Sequence, residues 1–365
     1  MPYTWLQPKS RAFDDLRALS YVSSTFDANA DRMGVQLHDA ERAFQGLNFY
    51  YSAFQTPVLL VDMDGTEVWR WEVDPAPNIS HAELLPDGDV LVVRFDSEVL
   101  RVDAAGEVRW RAAVGAHHGV WVDGDELFVP TRRSVLIPAI HATQPTLEDR
   151  LTVLRLEDGE VLREVSFVDI VRRSPYAFLM AAVAANEYVA DDGPLDVLHV
   201  NHVEVFDGSL AVVDPLFARG NLLVSMRHLN AIMILDGESH DVLWIWGPSN
   251  LYLQHHPQLL PDGRILLFDN GIVRSRVLEV NPLTRQVDWE YEDDELYSAL
   301  RGSVQRLPNG NTLITESDTG YVFEVTRAGE TVWEFANPEV SAGGERSVIW
   351  RMTRHRAADL SFLDR

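Results

Sequence analysis

Cysteine is absent from the 365 residues. That excludes a thiolate nucleophile, a disulfide staple, Cys-ligated zinc and an iron–sulfur cluster. Lysine is nearly absent as well: Lys9 is the only one, in an irregular N-terminal stretch, which leaves no lysine placed for Schiff-base chemistry. Positive charge is scarce overall, with 31 basic against 56 acidic residues and a formal net charge of -25. A polyphosphate backbone or an anionic membrane surface is therefore repelled, and neither nucleic acid nor a membrane is an expected partner. No apolar run has the length of a membrane span, and Met1 to Arg17 lacks the apolar core of a signal peptide. The expectation is a soluble, cytoplasmic protein.

A repeat fills most of the chain. His81 leads into Pro86-Asp87-Gly88, His256 into Pro261-Asp262-Gly263, and Ser303 into Pro308-Asn309-Gly310. Each turn is followed by short apolar strands and then by a closing segment that carries Trp110, Trp289 or Trp333. Asp-Gly and Asn-Gly between alternating apolar runs mark hairpins, so each unit reads as four strands. Looser copies run over 34–73, 117–168 and 199–247, the outer two ending in Trp71 and Trp246. The period of roughly 40 residues is that of a β-propeller. The expected fold is all-β: one propeller of six four-stranded blades over 34–360, after an N-terminal extension at 1–33. Two segments break the period, near 136–150 and 172–195, and Phe178–Asn186 within the second reads as helical.

In such a blade the first strand runs beside the channel and the second returns, so the start of one and the end of the next share a rim. First strands then bring His81, His117, His118, His199, Asn201, His202, His255 and His256 to that rim. Second strands bring Arg94, Arg132, Arg227, His228, Asp269 and Asn270. A single histidine beside a strand is usually a satisfied structural group, but recurrence at equivalent places points to one shared site. Alternation predicts that only one ring of each adjacent pair faces the channel, and that His199 and Asn201 share a side. Imidazole beside guanidinium suits a tetrahedral anion. Trp246 and Tyr252 are candidates to bind an aromatic ring.

Over nearly the whole propeller the chain resembles the arylsulfate sulfotransferase family. The resemblance is carried by Leu198-His199-Val200-Asn201, Asn221 to Ile232 with Arg227 and His228, Gln254-His255, Leu267 to Gly271, and Leu307 to Glu316. It implies transfer of a sulfuryl group from an aryl sulfate to a phenolic acceptor through a sulfo-histidine, with no cofactor. On that mapping His255 is the nucleophile, Arg227 and Asn201 hold the sulfuryl oxygens, and His199 and His118 move protons, with His117 as the fallback for His118. His117, His228, Asn270, Trp246 and Tyr252 are the expected substrate contacts, the partner being a small aromatic molecule.

His202 and His256 are additions to the family pattern, and they open a second reading: iron, copper or another divalent metal held by His81, His118, His202 and His256. A third is a propeller that binds a ligand on its rim without catalysis.

Overall fold

The computed structural model describes residues 24–26, 31–52, 57–73, 79–185 and 193–364. Most of the expected N-terminal extension, and residues 186–192 of the expected helical insertion, lie outside them. The first strands are β1 (Ser24–Phe26), β2 (Gly34–His38), β3 (Leu47–Ser52), β4 (Pro57–Val61) and β5 (Glu67–Glu72). They are followed by β6 (Ile79–Leu84), β7 (Val90–Arg94), β8 (Ser97–Val102) and β9 (Val108–Ala116). Next come β10 (Trp121–Asp123), β11 (Glu126–Val135), β12 (Thr146–Arg155) and β13 (Val161–Ser166), then helices α1 (Phe167–Arg173) and α2 (Ala177–Ala185). Four further strands are β14 (Val200–Val205), β15 (Leu222–Met226), β16 (Ala231–Leu235) and β17 (Val242–Trp246). Another four are β18 (His255–Leu259), β19 (Ile265–Asp269), β20 (Arg276–Val280) and β21 (Val287–Glu292). The remainder are β22 (Ser303–Arg306), β23 (Thr312–Glu316), β24 (Tyr321–Val325), β25 (Thr331–Ala336), β26 (Glu345–Ser347) and β27 (Ile349–His355).

These strands make an all-β, propeller-like arrangement of antiparallel sheets. Strands β14 to β17 form one four-stranded sheet and β18 to β21 another; a third has the order β27-β3-β4-β5. Strands β6 to β13 form an eight-stranded sheet whose halves share one residue pair, Thr131 with Ala116. The first strands of successive sheets touch in the order β14, β18, β22, β27, β6, with β10 and β11 against β14, and so surround a common axis. Among the described residues no helix is long and apolar enough to cross a membrane.

Two expectations are corrected by pairing. Gly34–His38 does not open the first sheet: β2 adds to β25 as the fifth strand of the β22 to β25 sheet. Its place beside β3 is taken by β27 from the far end of the sequence. The break near 136–150 is also shorter than expected, because β11 and β12 are ten-residue strands paired from Glu126–Arg155 out to Val135–Thr146.

The hairpin glycines work as their sequence suggests. Gly88 sits at φ +92°, its N–H bonded to Leu85 O at 3.0 Å, and a Cβ there would meet the Phe362 ring at 2.5 Å. Only glycine satisfies both the left-handed backbone and the contact.

The recurring tryptophans close the ring of sheets. Trp69 Nε1 donates to Ala104 O at 3.1 Å, Trp110 to Leu156 O at 3.1 Å and Trp246 to Arg285 O at 3.3 Å. Trp289 donates to Arg327 O at 3.0 Å and Trp333 to Met63 O at 2.9 Å. In each case the closing strand of one four-strand unit reaches the turn before the closing strand of the next. A buried indole N–H needs an acceptor, and here it finds one only if neighbouring units are in register. β13 carries no tryptophan; α1 and α2 follow it instead. Ser166 caps α1 by accepting the Asp169 N–H at 3.2 Å, and Phe167, Val168, Ile170 and Val171 bury into the core shared with β12, β14 and β15. The helical insertion thus begins at Phe167, earlier than its sequence limits, and α2 packs on the turn containing Arg227.

Candidate functional site

At the axis the first strands are irregular. Register shifts fall between Ile79 and His81, Val200 and His202, His255 and Gln258, and Ile349 and Arg351. The residues inside these bulges include Ser80, Asn201, His256 and Trp350, and all four line one central cavity of about 60 Å³. A bulge re-aims side chains that regular alternation would send to opposite faces. His255 and His256 accordingly both line the cavity, as do Asn201 and His202, against the expectation of one ring per pair. His256 and His199 have φ of +48° and +50°, strained values for residues with a Cβ. His81, His118, Arg301 and Arg351 complete the polar wall. The volume suits a few waters or one tetrahedral oxyanion.

His255 is held in one tautomer. Its Nδ1 lies 2.7 Å from Asn270 Oδ1, while Asn270 Nδ2 donates to Ser298 O at 2.6 Å and Arg301 O at 2.8 Å. The two carbonyls fix which end of the amide is nitrogen, so Oδ1 must accept and His255 Nδ1 must carry the proton. Nε2 is left with its lone pair. Burial, followed by the charge of Arg227, pushes the His255 pKa down to about 3, so the ring is neutral at physiological pH.

A second network is centred on two aspartates. His199 Nδ1 bonds Asp196 Oδ2 at 2.6 Å, and His118 Nε2 meets His199 Nε2 at 3.0 Å. His117 Nδ1 bonds Asp96 Oδ1 at 2.9 Å. Arg132 pairs with both carboxylates, reaching Asp196 at 3.2 Å. Burial opposes ionisation of Asp96, but hydrogen bonds from His117 and Arg132 overcome it and hold the carboxyl below its usual range. For Asp196 burial is likewise outweighed, by His199, His228 and Arg132. Burial keeps His117, His118 and His199 neutral, taking His117 down to about 4. Asp149 accepts the backbone N–H groups of His199 and Val200 at 3.2 and 3.1 Å, which supports the left-handed turn at His199.

The other expected residues take supporting places. Arg227 Nη1 donates to His228 Nε2 at 2.9 Å, and His228 Nδ1 donates to Asp196 O at 2.7 Å, behind the His199 ring. Asn201 Nδ2 donates to Gln254 O at 2.8 Å, tying the His-x-Asn segment to the residue before His255. Of the expected substrate contacts, His117, His228, Asn270, Trp246 and Tyr252 are all absent from the cavity wall. His117, His228 and Asn270 back rings that line it or bond to it. Trp246 is in the core with its N–H committed to Arg285, and Tyr252 bonds through its backbone to Asp269 Oδ1 at 2.8 Å.

The expected metal quartet is not assembled as such. His81, His202 and His256 share the wall with His118, but the His118 ring turns to His199. Among the described residues the groups whose ligand atoms lie within 4.8 Å of one another are His117, His118, His199 and Asp196, His199, His228.

Several wall residues escaped the sequence reading. Arg301 bonds Asp318 Oδ1 at 3.1 Å and lies 4.1 Å over the Trp350 ring, and Arg351 pairs with Glu83 at 2.8 Å. Trp350 and Arg351 lie on β27, whose partner β3 is near the other end of the chain, so no hairpin turn marks them.

Together these features define a propeller-like protein with a histidine- and arginine-lined axial cavity. The chain belongs to the arylsulfotransferase (ASST) family, whose sequence profile matches residues 81–338, well over half its length. No curated protein matches it. Among solved structures it is similar to a protein of unknown function from Bacteroides caccae, at 11% identity and TM-score 0.57, over 85% of this chain and 98% of that one. The WD40 β-propeller domain of Doa1 matches at 13% identity and TM-score 0.45, over 76% and 73%. At these identities the likeness concerns the fold alone.

Proposed function

We propose that the protein transfers a sulfuryl group from an aryl sulfate to a phenolic acceptor through a sulfo-His255 intermediate. The observation that carries this reading is the locked His255 tautomer, with a neutral ring whose Nε2 lone pair is free of protons in the wall of an arginine- and histidine-lined cavity. Family membership supports the reaction class. We also read the eight-stranded sheet as two blades, giving six around the axis, because its halves meet at one residue pair.

In the first half-reaction Nε2 forms a bond to sulfur as the bond from sulfur to the aryl oxygen breaks. Arg301, Arg351 and Asn201 face the sulfuryl oxygens and offset their charge. The aryloxide leaves as a phenol, taking a proton from His118, whose partner His199 is held and stabilised in its protonated form by the Asp196 carboxylate. An anion in the cavity favours the protonated form of nearby imidazoles, so this proton is taken up as substrate binds. Because Nδ1 keeps its proton on Asn270, the intermediate is a sulfo-imidazolium, and the ring later departs as neutral imidazole. In the second half-reaction the acceptor phenol returns its proton to His118 and its oxygen takes the sulfuryl group from Nε2.

The test is incubation with a chromogenic aryl sulfate, with and without a phenol. Release of the chromogenic phenol should depend on acceptor, and peptide mapping after donor alone should find one SO3 on His255. The His255→Ala variant should lose turnover by on the order of 10³-fold or more. No release, or a label on another residue, would overturn the reading.

A further inference from the structure

Three of the site's histidines, His117, His118 and His199, bring ring nitrogens together at one point. His117 and His199 each give Nδ1 to a carboxylate, Asp96 at 2.9 Å and Asp196 at 2.6 Å, so each presents Nε2 inward. Histidines that bind metals are oriented in this manner, through a carboxylate on the remote nitrogen. His117 is fully buried, and its Nε2 has no hydrogen-bond partner. A buried imidazole nitrogen without a partner is costly unless something occupies it. His118 Nε2 stands 3.0 Å from His199 Nε2, and the ligand atoms of all three residues lie within 4.8 Å of one another. Nitrogens on a tetrahedral ion at ~2.1 Å are separated by about 3.4 Å, so small ring rotations suffice. Arg132 joins the two supporting aspartates and holds both rings in one frame.

The neighbouring group Asp196, His199, His228 does not compete. Both His228 nitrogens are already engaged, with Asp196 O at 2.7 Å and Arg227 at 2.9 Å.

We propose that His117, His118 and His199 form a three-histidine site for a divalent transition metal, with a fourth coordination position open toward the axial cavity. An all-imidazole set with no thiolate selects zinc, copper, nickel or cobalt over magnesium or calcium. His118 lines the cavity, its ring centroid 6.5 Å from that of His255, so an ion here borders the space where the sulfuryl group reacts. Resting on the transfer reading, a filled site withdraws His118 and His199 from proton carriage, and metal occupancy suppresses sulfuryl transfer.

The test is titration of chelator-treated, full-length protein with Co²⁺, followed by competition with Zn²⁺. The expected result is an intense visible spectrum of tetrahedral Co²⁺ saturating at one ion per chain and bleached by Zn²⁺. His117→Gln and, as a second variant that removes a less buried ring, His118→Gln should each weaken binding at least tenfold, whereas His202→Gln should not. A weak octahedral spectrum, no saturable binding, or binding lost in His202→Gln but kept in His118→Gln would overturn the site. Transfer by the metal-free protein is scored separately, so failure of the ion to bind leaves the sulfotransferase reading standing, and the reverse holds as well.

Discussion

The axial cavity has two unlike walls. On one, His255 in the wall itself, and His117 and His199 packed against the lining His118, each rest on a side-chain oxygen, from Asn270, Asp96 and Asp196. On the other, His202 Nε2 and His256 Nδ1 are buried without hydrogen bonds close to Arg351, and His81 Nε2 lies 3.4 Å from the Glu83 carboxylate that Arg351 also holds. Burial first, then the charge of Arg351, pulls His202 down to about 3 and His256 well below its ordinary value. Rings on the first wall have assigned proton positions and can act in a fixed order. Rings on the second are neutral hydrogen-bonding surface, suited to shaping the cavity and contacting what fills it.

The sharpest way to break this contrast is Asp196→Asn, which keeps size but removes the charge that orients His199. Turnover in the aryl sulfate assay should fall by about 10³-fold. An effect under tenfold would mean that the anchored wall is only structural.

Next in size is a stability effect at Glu204, on β14 two residues beyond His202. Burial lifts its carboxyl from 4.5 to about 8, and its Oε2 accepts the Leu259 N–H at 3.0 Å. Between those values the folded chain holds a proton that the unfolded chain has released, so its contribution is complete below about pH 4.5 and lost as pH rises to about 8. Urea unfolding of Glu204→Gln should lack this decline, worth up to roughly 5 kcal/mol, while keeping an acceptor for Leu259. Equal pH slopes in variant and wild type would refute it.

Asn270→Ala comes third. It frees the His255 tautomer, and kcat should drop roughly 10–100-fold, as for other lost supporting partners of a functional histidine. On the unanchored wall, His202→Gln should change kcat by less than about fivefold and KM by more; the opposite split would give that wall a chemical role. Smallest is Trp246→Phe, which removes one hydrogen bond and should cost about 1 kcal/mol in unfolding experiments with kinetics unchanged.

The fold was legible where local chemistry determines it. Pro-Asp-Gly turns and Trp-bearing closing strands are short-range signals, and they marked the β18 to β21 unit from His256 to Trp289 without error in order. Pairings between distant parts of the chain were not legible: nothing near Gly34 or Ile349 says that β2 joins β25 or that β27 joins β3. The gathering of histidines at one rim was readable from their recurrence. Which of them line the cavity was not, because bulges at His81, His202 and His256 break the alternation on which such a reading depends. Arg301 was missed because it lies in the loop before β22, and Arg351, which follows its bulge as His81 and His202 follow theirs, because no hairpin turn leads out of β27 to mark it as a first strand.

Ring closure by β27 has a consequence for biosynthesis. Trp350 and Arg351 reach the cavity on a strand made after every other strand of the sheets around the axis. A growing chain that has not yet delivered Ile349 holds His255, the aspartates and their histidines, but lacks the part of the cavity wall that Trp350 and Arg351 supply. The cavity wall is therefore completed by one late pairing event, and a chain that stops short of Ile349 leaves that side of the axis without its last strand.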